Sequence, residues 1–376
     1  MVWDGIADEA IRADVLVSEG KIEAVGDGFA GDRSLDVSGL TILPGLIEAH
    51  AHLCFDATQG WRATYDSDSS HRMLLRMAAN GRKMLQAGIT TVRDLGAPTG
   101  LAVELRDAVA NGMTEGPRLI VAGAPITTTG GHCWFMGGEC DGVEGIRKAV
   151  RERVKAGVDV IKVMASGGNM TPRTNPFEPQ FTVEELRACV GEAHRLRRKV
   201  TAHAHGIAGV RVAVEAGVDC IEHCSFTVPG GYEFDRDLIR RIADEGIVVS
   251  PTVSIGYRRW PDDGLRQRRA EILSEMLASG CRVVMSTDCG IPNVPHEALA
   301  AAMDVFAEAT VSRPVDVLRL TTSRSAELLD LKDRGTIEPG KLADLLVVDG
   351  NPLESLLDLE RVRMVIKGGE TLSMVS

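Results

Sequence analysis

The 376-residue sequence predicts an α/β fold, a (β/α)8 barrel, with a small β unit assembled from the two chain ends. Three observations carry this. Eight short apolar, β-forming runs alternate with amphipathic helical stretches, the pattern of parallel βαβ units. Several helical stretches close on Ala-Gly just before the next run, at Ala87-Gly88, Ala156-Gly157 and Ala216-Gly217, where glycine readily takes the left-handed cap. The two ends of the chain follow a different, hairpin-like rhythm. The expected division is 1–43 with 336–376 as one composite β domain, and 44–335 as the barrel.

Taken in order, residues 14–17 and 21–26 alternate around a Ser-Glu-Gly turn, as a hairpin does. The eight runs are 41–52, 90–94, 118–122, 160–164, 200–205, 220–223, 247–250 and 283–288. Helical patterns fill the gaps at 72–86, 143–156, 182–197 and 207–216. Eight units fit a closed barrel better than an open doubly wound sheet, which would want a Gly-rich phosphate turn after its first strand; none follows His52. Strand-like runs at 343–349 and 362–369 end the chain, and termini that lie close together could share one β unit.

Composition narrows the function. A net charge of -11 argues against electrostatic binding to nucleic acid or to an anionic membrane. No apolar run approaches the roughly 20 residues of a membrane span, and the N-terminus lacks a basic and apolar leader. The eight cysteines contain no CxxC pair and read as small core residues in a reducing compartment. The expectation is a cytoplasmic protein acting on a small molecule or dipeptide; a homo-oligomer is compatible with it.

A barrel presents its site at the C-terminal ends of its strands. Strand one ends in His50-Ala51-His52, and residues two apart in a strand face the same way, so both imidazoles can approach one point. Lys162 lies in strand four, His203 and His205 end strand five, His223 ends strand six, and Asp288 ends strand eight. Each has a plainer alternative. His203 and His205 could be core histidines bonded to backbone, His223 a helix-entry residue, and Asp288 a turn cap. Lys162 stands out because a parallel barrel strand is buried on both faces. An unpaired buried ammonium is costly, so Lys162 needs an anionic partner such as Glu48 or Asp94, a shifted pKa, or modification to a carbamate.

Taken together these positions resemble the amidohydrolase superfamily. Several phrases are similar to its branch near imidazolonepropionase, which contains Xaa-Pro dipeptidases and related metallocarboxypeptidases. They are Leu43-Pro44-Gly45-Leu46-Ile47-Glu48-Ala49-His50-Ala51-His52, Gly88-Ile89-Thr90-Thr91-Val92-Arg93-Asp94, Ile161-Lys162-Val163-Met164-Ala165-Ser166-Gly167-Gly168, Ala202-His203-Ala204-His205-Gly206, Ile221-Glu222-His223 and Gly340-Lys341-Leu342-Ala343-Asp344-Leu345. The resemblance implies a (β/α)8 barrel with a small β-sandwich from both termini, in which Val2-Trp3-Asp4-Gly5 ends a first sandwich strand whose earlier part is absent.

It also implies two divalent metal ions, for which zinc suits the ligand set; manganese, cobalt and iron remain compatible. His50, His52 and Asp288 would hold the buried ion, His203 and His223 the second, and N6-carboxylated Lys162 would bridge them. A bridging hydroxide would attack an amide carbonyl, and Asp288 would move its proton to the leaving amine. The implied substrate is a dipeptide or an N-acyl amino acid. Aryl-amide, carbamate or phenylurea hydrolysis is the nearer alternative, ahead of imidazolonepropionase-like chemistry, which usually lacks the bridging lysine, or a non-catalytic scaffold. His132 in Thr129-Gly130-Gly131-His132 is the candidate for contacting the substrate carbonyl or carboxylate. Trp134 could line an aromatic pocket, and Arg173, Tyr257 and the arginines Arg258 and Arg259 are further candidates for substrate contact. His205 is left out of the metal set, and His71, His194 and His296 receive no catalytic role.

Overall fold

The computed structural model describes residues 1–259 and 263–372. Its barrel strands, in order, are Leu46–Ala51, Ile89–Asp94, Arg118–Val121, Ile161–Met164, Val200–Gly206, Cys220–Val228, Val248–Ser250 and Arg282–Val283. The first three pair in parallel as one ladder and the last five as another. Two junctions close the ring. Ile126 bridges Val163, its N–H donating to the Lys162 carbonyl at 2.8 Å, and Ala51 bridges Cys289, with the His52 N–H donating to the Cys289 carbonyl at 2.8 Å.

Local chemistry explains the elements. Strand four, Ile161–Met164, is buried along its whole length, as a strand covered by helices must be. Helix Ser70–Gln86 buries Met73, Met77, Met84 and Leu85 on one face, and Ser69 caps its start by accepting from the Arg72 N–H. Helix Val183–Arg195 opens on a capping box between Thr182 and Glu185. The Ala-Gly closures are observed: Gly157 and Gly217 take φ of 94° and 77° at helix ends.

The run expected as one strand over 41–52 is two strands in different sheets. Thr41–Pro44 pairs antiparallel with Leu345–Val348, and Leu46–Ala51 enters the barrel. The break falls at Gly45, whose N–H donates to the Asp344 carbonyl and where a Cβ would lie 2.2 Å from Thr90 Oγ1. Thr41–Pro44, Leu345–Val348, Val362–Lys367 and Glu370–Thr371 form one small sheet, and Asp14–Ser18 pairs with Lys21–Gly26 as the hairpin facing it. Val2, Ile22, Ile42, Ile337, Leu345 and Val347 fill the space between them, making the β-sandwich. Val2 joins the sandwich by a parallel bridge to Ile42. The eight cysteines are all free, and no helix among the described residues is long and apolar enough to cross a membrane.

Candidate metal centre

Five barrel strands deliver their chemistry to one cavity of about 240 Å³ at the C-terminal rim. His50 Nε2 and His52 Nε2 lie 3.3 Å apart, and Asp288 Oδ1 is 3.3 Å from the first and 3.2 Å from the second. The other nitrogen of each ring is committed. His50 Nδ1 lies 2.8 Å from Glu222 Oε2, and His52 Nδ1 lies 3.1 Å from the Gly96 carbonyl. A ring that donates from Nδ1 presents a lone pair at Nε2. Two nitrogen lone pairs and a carboxylate oxygen therefore converge on one point, which without a cation is repulsive. A tetrahedral zinc with ligands at about 2.0–2.1 Å sets its ligand atoms ~3.3–3.4 Å apart, so the spacing fits.

The strand-eight junction builds this triangle. Buried Glu48 accepts from the His50 N–H at 3.0 Å, the Thr287 N–H at 3.0 Å and Thr287 Oγ1 at 2.7 Å. It ties strand one to the residue before Asp288, which has a left-handed φ of 61°. Burial, against those hydrogen bonds, pushes the Glu48 carboxyl up to about 7. Gly96 lies against the His52 ring, where a Cβ would come within 2.7 Å of Cε1.

A second cluster faces the first. His203, His205 and His223 each offer a ligand atom, all within 4.8 Å of one another. His203 Nε2 lies 3.0 Å from the Gly167 carbonyl, leaving Nδ1 for the cavity, and His223 Nδ1 lies 2.8 Å from Thr252 Oγ1, leaving Nε2. The two clusters adjoin, with the His50 and His223 ring centroids 5.3 Å apart.

Lys162 also lines the cavity, is 2% exposed, and its Nζ has no hydrogen-bond partner among the described residues. The alternative ion pairs are not formed: Glu48 is engaged as above, and Asp94 accepts from the N–H groups of Leu53 and Gly96. Burial lowers the Lys162 pKa against the pull of Glu222 and Asp288, favouring the neutral amine. Burial likewise pushes His50 down to about 4, with the lysine charge adding to the effect. His52 is raised, because Asp288 outweighs its burial. Imidazoles that burial shifts towards the neutral form at His50, His203 and His223, an amine shifted the same way and a carboxylate form a cation-binding donor set, and Asp288 Oδ1 and Lys162 Nζ are its two unpartnered buried atoms among the described residues.

Of the substrate candidates, His132 and Tyr257 line the cavity; Trp134 and Arg173 do not. Trp134 is 42% exposed and stands on the outer side of a cluster of Phe55, Trp61, Tyr65 and Phe135, of which Phe55 reaches the cavity. Arg173 is exposed, and Arg258 pairs with Asp304 at 2.5 Å. His132 is buried, with Nδ1 unpartnered, and burial with the neighbouring His205 charge pushes it down to about 3. Its ring lies over Gly168, where a Cβ would come within 2.4 Å of Nε2.

Sequence reasoning missed several residues. His205, set aside above, lies in the second cluster, its Nδ1 2.8 Å from Ser225 Oγ. Glu222 is fully buried and accepts from His50, from Arg93 Nη2 at 2.8 Å and from Thr201 Oγ1. Arg93 also donates to the Ala49 carbonyl at 2.7 Å, so one charged chain holds the His50 ring. An acid inside an apolar strand is the same signal that singled out Lys162, and it was available. His296, given no role above, is buried in a turn with its Nε2 3.2 Å from the His52 carbonyl.

The chain is similar to known proteins over most of its length. The model of the amidohydrolase family matches residues 41–372. The chain is 27% identical over 372 residues to an ochratoxinase of Aspergillus niger, covering 88% of this chain and 75% of that protein. It is 24% identical over 378 residues to the imidazolonepropionase of Fusobacterium nucleatum subsp. nucleatum, covering 89% and 84%. A solved Xaa-Pro dipeptidase with methionine bound in its active site superposes with a TM-score of 0.87 at 28% identity, over 99% of this chain and 97% of that one.

Proposed function

This chain belongs to the amidohydrolase family, and from that premise we propose that it is a two-metal hydrolase of the amide bond in a dipeptide or an N-acyl amino acid. The likeness to an Xaa-Pro dipeptidase supports the dipeptide, with dipeptidase- or carboxypeptidase-like cleavage. The observation that carries the two-metal reading is the unpartnered Lys162 Nζ on the wall that two clusters of lone pairs share.

In this reading His50, His52 and Asp288 would hold one ion, and His203 and His223 would hold the other, with His205 beside them. The Lys162 amine, in its neutral form, adds to carbon dioxide; an N–C bond forms as a C=O π bond opens, a proton leaves to solvent, and the resulting carbamate would be an anionic ligand for the ions. Zinc suits these donors. When bound, the two cations supply a water of lowered pKa and a Lewis acid for the scissile carbonyl. Asp288 accepts a proton on its second carboxylate oxygen and returns it to the leaving amine. His132, held neutral, donates to the substrate carbonyl or carboxylate, and Tyr257 lines the same cavity.

A second reading, hydrolysis of an aryl amide, carbamate or phenylurea, is favoured by Phe55, which joins the cavity to the aromatic cluster 5.4 Å from His52. A screen of dipeptides, N-acyl amino acids, aryl amides, carbamates and phenylureas on zinc-loaded enzyme separates the two. Metal analysis of protein prepared with zinc and bicarbonate should give two ions per chain, and one or none would sink the two-metal reading. Asp288→Asn should retain most of the metal and lose turnover.

A further inference from the structure

We propose that Arg269 is a positioning residue for the His223 side of the metal centre, an assignment that rests on the two-metal reading. Arg269 lies on helix Asp263–Ala278, outside the barrel, yet is 1% exposed and reaches the wall of the cavity. No carboxylate pairs with it among the described residues; its donors go to three main-chain carbonyls and one hydroxyl. Nη2 donates to the His223 carbonyl at 2.7 Å and to the Pro251 carbonyl at 3.3 Å, Nη1 to the Cys224 carbonyl at 3.1 Å, and Nε to the Tyr257 hydroxyl at 3.1 Å.

Those carbonyls lie where the backbone is least willing. His223 and Cys224 have φ of 64° and 44°, and Thr252, following Pro251, has a φ of 51° despite its β-branch. Consecutive left-handed residues of these types persist only when their surroundings over-determine them. The planar fork does this, gripping the middle of strand six to the residue just past strand seven in a way a lysine, a compact point charge, cannot reproduce. Those two segments carry His223 and the Thr252 hydroxyl that meets its Nδ1 at 2.8 Å, so Arg269 holds both halves of the contact that aims Nε2 into the site. A buried cation beside a cation-binding cluster works against ion binding by charge alone. Its geometry is therefore what the site gains from it.

The test compares wild type with Arg269→Met and Arg269→Lys. Zinc content and chelator competition are measured on folded protein, and imidazole 15N spectra on the metal-free form. Both variants should retain one tight ion and bind the second at least ~10-fold more weakly. Their His223 signal should change from the Nδ1–H form of wild type to a mixture of tautomers. A folded variant with two wild-type affinities and an unchanged His223 tautomer overturns the proposal. Failure of both variants to fold also overturns it, because Arg269 would then serve the fold rather than the site. A wild type that holds one ion counts against the two-metal reading alone, since the tautomer measurement still decides the role of Arg269.

Discussion

Replacing Glu222 by glutamine should damage both the stability of the barrel and its hold on one ion, by separable amounts. Glu222 is wholly buried and compensates Arg93, which is 4% exposed. Burial alone would raise its pKa, but Arg93 and His50 hold the carboxyl well below the usual range. Removing its charge strands the guanidinium, a perturbation worth about 3–5 kcal/mol. With about 2.1 cal/mol/K of unfolding entropy per residue, this 376-residue chain should lose ~5 °C in melting temperature. Separately, His50 loses its anionic partner, which should weaken the ion it shares with His52 and Asp288 by about 10–100-fold. Calorimetry of chelator-treated protein reads the first effect, and competition with a zinc indicator reads the second. The double variant Arg93→Met/Glu222→Gln should regain most of the melting temperature, because no charge is stranded, but not the affinity. A Glu222→Gln protein melting within about 1 °C of wild type, with affinity within about twofold, would refute the reasoning from buried-charge compensation.

Lys162→Ala should lower the bound metal and abolish turnover, and millimolar formate or propionate should restore part of both by supplying the missing carboxylate; rescue by chloride would argue against the carbamate. Gly168→Ala drives a Cβ into the His132 ring, so kcat/KM should fall more than ~10-fold with two ions still bound, and unchanged kinetics would remove His132 from the substrate's surroundings. The metal-free protein should lose stability as pH falls from about 6.5 towards 4. His50 and His205, depressed to about 4 by burial first, and His132, depressed to about 3, stay neutral in the fold while the unfolded chain takes up protons. Each contributes on the order of 1–3 kcal/mol. Glu48, raised to about 7 by burial, gives the opposite slope over part of that range, as do the raised His52 and Asp94, but the lowered histidines outnumber them. A melting temperature that is flat or rising as pH falls from about 6.5 to about 4.5 would contradict this.

Much of this site was legible because ligand-type residues fell at the ends of apolar runs, and the period-two rule placed His50 beside His52 without knowledge of the third dimension. The same rule placed His205 beside His203, and the structure follows it; the family resemblance, which names one histidine there, argued the other way. Arg269 was illegible for a different reason. It sits in a helix among other arginines, and only packing decides which of them turns inward. Trp134 misled because rarity in a loop suggested a pocket, whereas its neighbour Phe135 faces the aromatic cluster and the indole stays half in solvent. The extent of the first run also escaped, since an unbroken apolar stretch does not reveal that Gly45 passes it from one sheet to another.

The contact between Thr287 and Glu48 spans 239 residues of chain, and it has a consequence for biosynthesis. A nascent polypeptide that has not yet emitted residue 288 carries His50 and His52 but lacks their third donor. On the two-metal reading this side of the centre would be complete only after residue 288, whereas His203, His205 and His223 come earlier in the chain. On that reading the ion held by His50, His52 and Asp288 would enter after the last strand docks, through the mouth of the cavity. Protein made in zinc-starved cells should accumulate as a folded reserve that later metal charges without a round of unfolding.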